Sequence, residues 1–399
     1  MNTQSQNKNA PHFASVLPAL SLLTTVFFAN FLVRTLFGPL LIPISEHLGQ
    51  SLAHSANLLV CLTAGYSMSV LCAGFLSCRL GHKKTIVFST AVIGIALLGL
   101  SASTTFWGFC LWTFLMGAAA GLYMPSGVVT ITEITPPAYW GQAFAVHEMA
   151  PNLSFVVAPF IAEAFMNTSG YPSLFLTLGI SCLGLALLYT LRGPATRRTG
   201  MAPVLGNIRV IVSLPAFWIT VLLFVLAVSV STGIYNLLPA LLVREKGLSR
   251  EEASFILGAT RIMPVFVLPA TGWIIRRMGY RGTMALCLLG ASLSTVLCGY
   301  GPLWWTIAML TLQPLFVVCF FPVGFAVQSL VCPKATNDLS VSLTIMCTSL
   351  FGAGLIPAGL AWCGEFFGFA LSFALFGAAL FFLMLMTILR LRIPASSPS

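Results

Sequence analysis

Charged side chains are scarce in this sequence. Asp, Glu, Lys and Arg make up only 7% of its 399 residues, while 58% are apolar. A water-soluble domain contains about a quarter charged residues, so this composition excludes an ordinary soluble protein. The surface must face lipid, which predicts an integral membrane protein with the bilayer as its first partner. In such a protein the position of each basic residue matters more than the net charge of +10, and we predict no nucleic-acid partner.

The motifs of soluble enzyme chemistry are also missing. The sequence has no G-x-x-x-x-G-K-[ST] loop for a nucleotide phosphate and no G-x-S-x-G nucleophile turn. His147 and Glu148 begin an H-E-x-x-H zinc motif, but Pro151 stands where the second histidine would be. The eleven cysteines are scattered without a CxxC pair, so neither disulfides nor a metal site is predicted. We therefore expect no enzyme activity and no cofactor.

Long apolar runs dominate what remains. A helix of roughly 20 apolar residues crosses about 30 Å of hydrocarbon, and helix satisfies every backbone polar group internally. The predicted fold is therefore all-α integral membrane, with twelve transmembrane helices. They are placed at 16–44, 56–78, 85–104, 106–132, 142–165, 172–191, 216–243, 253–275, 283–299, 304–330, 339–362 and 369–389.

The basic residues between these spans predict the orientation. With both termini in the cytoplasm, the outer loops hold three basic residues, Arg244, Lys246 and Arg250, and the cytoplasmic segments hold fourteen. This asymmetry follows the positive-inside rule and predicts a bacterial cytoplasmic (inner) membrane protein with both termini inside. The fourteen are Lys8, Arg79, Lys83, Lys84, Arg192, Arg197, Arg198, Arg209, Arg276, Arg277, Arg281, Lys334, Arg390 and Arg392.

An internal repeat divides the chain into two halves. At an offset of 198 residues, "GQSLAHSANLL" (49–59) aligns with "GLSREEASFIL" (247–257), and "GFLSCRLGHKKT" (74–85) with "GWIIRRMGYRGT" (272–283). Parallel repeats related by an axis along the membrane normal are a transporter design, with the substrate at their interface. The predicted domains are an N-terminal six-helix bundle (1–191), a cytoplasmic linker (192–213) and a C-terminal six-helix bundle (214–399).

The segment "GFLSCRLGHKKT" resembles the loop between helices 2 and 3 in the major facilitator superfamily, G-x-L-x-D-R-x-G-R/K-R/K. The resemblance implies two six-helix bundles that rock about a central site and give access to each side in turn. Cys78 replaces the usual acidic residue, so we expect that the gating contact is made by other residues. The residues that the resemblance assigns to the gating loop are Gly74, Arg79, Gly81, Lys83 and Lys84, with Gly272, Arg277 and Gly279 in the second copy.

Two arginines inside predicted spans indicate a binding site. Each full charge costs about 2.5–3.5 kcal/mol at a helix centre, so such residues usually face a bundle interior or a wet cavity. Arg34 and Arg261 lie in opposite halves, both roughly 12–14 Å below the outer boundary at 1.5 Å per residue. They could clamp an anion, or each could have a purely structural partner. Weaker candidates for the substrate site are the polar residues Asn30, Tyr66, Asn236 and Gln313.

Two adjacent titratable residues indicate proton coupling. His147 and Glu148 lie in the fifth span, with Glu148 about 10 Å from its cytoplasmic end and Asn152 one turn deeper. A carboxyl group that alternates between wet and dry surroundings can take up and release a proton, and histidine titrates in the same range. The alternative is a structural contact of the fifth helix. Glu163, near the outer end of that helix, is attributed to snorkelling.

These features predict a secondary transporter that acts as a monomer. The preferred function is proton-coupled symport of a small organic anion, with protons and the anion as partners. The alternative is proton-driven efflux of drug-like or amphiphilic compounds, although "SFVVAPF" lacks the glycines of the G-x-x-x-G-P motif in drug antiporters of the superfamily. A receptor or scaffold without transport activity would have little use for charges buried in both halves.

Overall fold

The computed structural model describes residues 13–196, 205–267, 270–333 and 336–391, and within them it contains helices and no strands. The predicted all-α membrane fold is therefore confirmed. The membrane helices are α1 (Phe13–Thr35, continued by Phe37–His47), α2 (Leu52–Leu80), α3 (His82–Ala102), α4 (Phe106–Ile134), α5 (Trp140–Met166), α6 (Gly170–Arg192), α7 (Pro215–Glu245), α8 (Arg250–Ala259, Met263–Val267 and 271–278), α9 (280–297), α10 (Leu303–Val331), α11 (Leu339–Phe367) and α12 (Phe369–Arg390).

Helix α8 is interrupted, which corrects the continuous span predicted at 253–275. Its first segment begins with a capping box between Ser249 and Glu252. The segment ends at Ala259, and a turn that contains Arg261 precedes the next one. Pro264 lies in the first turn of that next segment, where proline is tolerated, but it cannot donate to a carbonyl one turn earlier. The proline therefore accounts for the break.

Three pairs of glycines show the pseudo-symmetry of the two halves at the level of the backbone. The positive φ values that L-residues avoid occur at positions 198 residues apart, and each pair ends a helix or forms a tight connection. The pairs are Gly49 (φ 59°) with Gly247 (69°), Gly81 (77°) with Gly279 (68°), and Gly170 (78°) with Gly368 (89°). The repeat read from the sequence is thus a repeat of backbone conformation.

The twelve helices form an N-bundle (α1–α6) and a C-bundle (α7–α12). We call the membrane face at which α1 begins and α12 ends the near face, and the other the far face. Towards the near face each bundle has its own apolar core, around Leu20 and Ile86 in one and around Met284 and Ile388 in the other. Towards the far face a single cluster is shared by both bundles, and it includes Leu41, Leu52, Ala56, Leu237, Leu241 and Leu257. The bundles are therefore packed together at the far face.

The predicted linker is described only in part. Helix α6 ends at Arg192, a short helix occupies Leu205–Val212, and α7 begins at Pro215. Ile211 of the short helix is buried with Phe217 and Leu343 of the C-bundle. The domain boundaries at 191 and 214 stay a prediction. Five of the basic residues assigned to cytoplasmic segments lie outside the described residues: Lys8, Arg197, Arg198, Lys334 and Arg392.

Candidate substrate-binding cavity

A cavity of about 550 Å³ lies between the two bundles. Four helices of each bundle line it, α1, α2, α4 and α5 on one side and α7, α8, α10 and α11 on the other. It lies on the near side of the shared apolar cluster, so that cluster closes its far end. A site at the interface of two repeats is the arrangement expected of a transporter with parallel halves.

Arg34 lies in the cavity wall on α1. Its Nε donates to the carbonyl oxygen of Asn30, one turn earlier, at 3.3 Å. Its guanidinium carbon lies 4.4 Å from the ring centroid of Phe31 and 4.7 Å from that of Tyr66. Cation–π contacts of this kind position a guanidinium without neutralising its charge. The side chain is thus oriented by α1 and α2 together.

Arg261 enters the same cavity from the turn that interrupts α8, and it is 7% exposed. Its Nη2 donates to the carbonyl oxygen of Ser231 at 2.8 Å. Ser231 belongs to a π-helical segment of α7, Ser229–Gly233, and such segments disturb the regular pairing of backbone carbonyls. The guanidinium carbon lies 5.0 Å from the ring of Phe155 and 4.9 Å from that of Tyr235. Phe155 belongs to the N-bundle, so this arginine bridges the two halves.

In the part of the chain that the structure describes, neither cavity arginine has a carboxylate as a partner. Among the described residues, no Asp or Glu oxygen lies within 4.0 Å of either guanidinium. The acidic side chain that lines the cavity is Glu148. A buried charge is costly unless an opposite charge or several hydrogen bonds compensate it. The cavity therefore has an excess of positive charge that an anionic ligand would neutralise.

Tyr66 and Asn236, predicted as weaker site residues, also line the cavity. Asn30 and Gln313 do not line it, and their role in substrate binding stays a prediction. The Asn30 amide donates to the carbonyl oxygen of Ala120 on α4 at 3.2 Å, and that of Gln313 donates to Val230 on α7 at 2.9 Å. A buried amide in an apolar bundle must satisfy its own hydrogen bonds, and both do so against a neighbouring helix.

The predicted proton-coupling residues are divided between the cavity and the protein interior. Glu148 and Asn152 line the cavity, and the Asn152 amide donates to the Glu148 carbonyl at 2.9 Å. His147 is 1% exposed and does not line the cavity. Its ring stacks on Phe27 with centroids 4.2 Å apart, and its Nε2 lies 3.0 Å from the Tyr123 hydroxyl. Glu148 thus lies in the cavity wall, whereas His147 is buried in the protein interior next to it.

The other ring nitrogen of His147 faces the carboxyl group. Tyr123 donates its hydroxyl hydrogen to the Leu23 carbonyl oxygen at 3.0 Å. Because a hydroxyl has a single hydrogen, His147 Nε2 must carry the proton of the bond that joins it to Tyr123. Nδ1 is then the nitrogen that can take up a second proton, and it lies 3.8 Å from Glu148 Oε1.

A polar cluster at the far face was not predicted. Arg250 of α8 binds both carboxylate oxygens of Glu163 on α5, with contacts of 2.9 and 3.1 Å, and donates to Asn167 at 2.8 Å. The Asn167 amide donates to Glu251, and the Ser254 hydroxyl donates to Glu163. Glu163 is therefore paired across the bundles and does not snorkel. The sequence signal for this pair was a carboxylate near the outer end of α5 and a basic outer loop that contains Arg250.

The predicted gating loop lies at the near face in both halves. Gly81 separates α2 from α3 with φ 77° and ψ 161°, and Gly279 separates α8 from α9 with φ 68° and ψ 173°. Gly74 and Gly272 lie one to two turns earlier in α2 and α8. The remaining residues are exposed or half-buried: Arg79, Lys83, Lys84 and Arg277. The guanidinium of Arg277 lies over the ring of Trp273. Their role in gating stays a prediction.

Comparison with known proteins agrees with this architecture. A family model described as the Major Facilitator Superfamily matches residues 23–280 and 223–399. The chain is 22% identical over 356 residues to the 4-hydroxybenzoate transporter PcaK of Acinetobacter baylyi, covering 79% of this chain and 73% of that protein. It is 22% identical over 272 residues to the multidrug resistance protein MdtL of a Shewanella species, covering 66% and 68%.

A solved structure has the same fold. The crystal structure of a bacterial homolog of the human lysosomal transporter Spinster, in an inward-facing and unoccupied conformation, superposes with a TM-score of 0.78. Sequence identity is 17%, and the match covers 98% of this chain and 100% of that one. The family model extends over nearly the whole chain, and the described helices form the two expected bundles. The chain belongs to the Major Facilitator Superfamily and is a multi-pass membrane transporter, not an enzyme.

Proposed function

We propose that this transporter moves a small organic anion and couples its movement to protons. The observation that carries the proposal is the pair of arginines, Arg34 and Arg261, which line one cavity from opposite bundles without a carboxylate partner within 4.0 Å among the described residues. Arginine binds a carboxylate through two parallel hydrogen bonds. The relative named as a 4-hydroxybenzoate transporter moves such an anion, which supports this substrate class.

Alternating access follows from how the bundles meet. In this conformation the far end of the cavity is closed by the shared apolar cluster and by the Arg250–Glu163 pair. Opening the far face requires that Arg261 leaves Phe155 and that the Tyr235 hydroxyl leaves the Phe155 carbonyl, which it contacts at 3.2 Å. A substrate anion that holds Arg34 and Arg261 together offsets the loss of these contacts during the transition.

The proton is carried by Glu148 with His147. Glu148 faces the cavity, where its surroundings change from water to protein as the bundles rock, and a carboxyl group in dry surroundings prefers its neutral form. His147 Nδ1 is close enough to exchange a proton with Glu148 through a small side-chain movement. Tyr123 on α4 holds the other ring nitrogen, which keeps Nδ1 directed towards the carboxyl group.

The near face is assigned to the cytoplasm, in a bacterial inner membrane, and the transporter acts as a monomer. Of the fourteen basic residues predicted for cytoplasmic segments, the nine that the structure describes lie at the near face, which supports the orientation. Reporter fusions at residues 192–213 test it, because that linker must then be reachable from the cytoplasm. A linker found outside the cell would reverse the assignment.

The function is tested by transport in proteoliposomes. Uptake of radiolabelled carboxylates is measured with and without an imposed pH gradient, with protein-free vesicles as the control for passive entry. Saturable uptake that a pH gradient drives uphill supports the proposal. The alternative, proton-driven efflux of drug-like compounds, draws support from the MdtL relative and the many apolar cavity side chains. Transport of neutral or cationic amphiphiles, with no response to carboxylates, would favour it and refute the anion proposal.

A further inference from the structure

We infer that the transported anion has an apolar body of about the size of a phenyl ring, as in an aryl or arylalkyl carboxylate, and is not a compact polar acid. This inference rests on the proposed function, because it assumes that the arginines bind the anionic group. It comes from the part of the cavity that the arginines do not reach.

The cavity has a second, aromatic wall in the C-bundle. It is formed by Phe224 of α7 with Phe321 and Phe325 of α10, all of which line the cavity. The ring of Phe224 lies 4.7 Å from that of Phe325 and 6.4 Å from that of Phe321. Residues four apart lie on the same face of a helix, so α10 presents both rings together. The wall is a built surface rather than an isolated apolar contact.

The aromatic wall and the arginines lie at different depths. Ser231, whose carbonyl holds Arg261, is seven residues beyond Phe224 on α7, which corresponds to about 10 Å along the helix. An anion bound at the arginines reaches this wall only if it has a body that extends towards the near face. A compact acid would leave the partly exposed rings of Phe321 and Phe325, which cover the buried ring of Phe224, against water, and apolar surface in water is unfavourable.

The size of the cavity agrees with this reasoning. Its volume of about 550 Å³ falls within the roughly 300–1,000 Å³ of pockets that bind drug-sized molecules. Such pockets are mostly apolar with a few polar groups that orient the ligand. Arg34 and Arg261 would orient the carboxylate, and the aromatic wall would select the body.

Gly324 leaves room for the ring of Phe224 in the aromatic wall. A Cβ at this position would lie 2.7 Å from Cζ of Phe224 and 2.9 Å from its Cε2. Real Cβ contacts are not that short, so Gly324→Ala must displace the ring of Phe224, which is the movable end of a side chain. Gly184 on α6 is a matched control, because it is exposed and a Cβ there would meet no atom within 4 Å.

The test measures ligand binding to the detergent-solubilised full-length protein, by thermal stabilisation over a range of ligand concentrations. The probes are benzoate, phenylacetate and 3-phenylpropionate as aryl carboxylates, acetate and succinate as compact acids, and benzyl alcohol as a neutral aryl compound. Because binding buries the ring, aryl carboxylates should bind about tenfold or more tightly than acetate. Gly324→Ala should weaken aryl binding by about fivefold or more, since overpacking moves a ring into the site. Gly184→Ala should leave aryl binding unchanged.

Three outcomes separate this inference from the proposed function. Preferential binding of aryl carboxylates, lowered by Gly324→Ala and by Phe325→Leu, supports both. Compact acids that bind as tightly as aryl carboxylates would overturn the inference and leave the anion proposal standing. Benzyl alcohol that binds as tightly as benzoate, with no effect of Arg34→Lys, would overturn both. Phe325→Leu removes a ring without overpacking, so it decides the question if Gly324→Ala does not fold.

Discussion

Phe31 of α1 and Phe155 of α5 meet edge to face with ring centroids 5.5 Å apart, and each ring carries one of the two cavity arginines. Arg34 lies over Phe31, within the N-bundle. Arg261 reaches across from the C-bundle to Phe155. The two phenylalanines thus connect the cationic groups of the two halves, and this connection must break on the Arg261 side when the bundles separate at the far face.

Replacing either arginine by lysine tests the anion clamp. Lysine keeps the charge but loses the planar fork and most of the stacking, so Arg34→Lys and Arg261→Lys should each weaken anion binding by about tenfold or more. Binding is measured by ligand-induced thermal stabilisation. Arg390→Lys, at the exposed end of α12, is the control. Wild-type affinity in both cavity variants would make the arginines structural.

Phe155→Leu tests the bridge between the bundles. The substitution keeps an apolar side chain but removes a cation–π contact worth about 0.5–2 kcal/mol, so the closed far face should lose stability by that order. The expected result is a lower melting temperature of the ligand-free protein. Phe88→Leu on α3, which is 47% exposed, gives the background effect of losing a ring. An equal loss in both variants would contradict a bridging role.

Glu148→Gln tests proton coupling. Glutamine imitates the protonated carboxyl group but cannot release a proton, so uphill uptake driven by a pH gradient should fail while exchange of internal for external substrate survives. Uptake and exchange are measured in the same proteoliposomes. If Glu148 has only a structural role, both activities should fall together. Normal accumulation in this variant would eliminate Glu148 as the proton carrier.

His147 and Tyr123 should change the pH dependence rather than the coupling itself. His147→Gln removes the assisting group, and Tyr123→Phe removes the partner that holds Nε2. Both should shift the pH profile of uptake with a smaller loss of rate than Glu148→Gln, because the carboxyl group remains. The profile is measured with equal pH on both sides, during exchange. Profiles identical to the wild type in both variants would exclude the relay.

The pair of Glu163 and Arg250 should act as a latch on the far face. Glu163→Lys or Arg250→Glu should each impair transport through like-charge repulsion, and the double variant should recover much of the loss. Hydrogen-bonded ion pairs of this kind contribute on the order of 1–3 kcal/mol. The control is Glu365→Gln, which removes a 3.7 Å pair with Arg244 inside the C-bundle and should leave transport unchanged. Additive effects in the double variant would refute the pairing.

The sequence predicted the fold through features that depend on neighbours along the chain. Apolar runs indicated the helices, and a 198-residue repeat indicated the two bundles. Gly81 and Gly279, which match in the repeat, both have a positive φ in the structure. The interruption of α8 has its own local signal in Pro264. Apart from the repeat, each of these properties belongs to a single helix or turn.

The site was only partly predictable. Rarity of charge in a membrane helix was sufficient to select Arg34, Arg261 and Glu148, because burying a charge without a purpose is costly. The same reasoning did not show that Asn30 and Gln313 lie outside the cavity lining, since an amide can be satisfied by any adjacent backbone carbonyl. It gave no information on Phe155, which is one of many phenylalanines in the chain.

The sequence alone thus determined that this protein lies in a membrane, where its helices are and that its halves repeat, because hydropathy and backbone conformation are local. Only the tertiary structure decided which side chains meet. It placed Arg261 on the ring of Phe155, paired Glu163 with Arg250, and directed His147 Nδ1 towards Glu148. The first two contacts join residues more than 80 positions apart, and all three depend on how the helices pack and how each is rotated about its axis. Apolar side chains that face lipid resemble those that face the core, so the sequence does not specify this rotation.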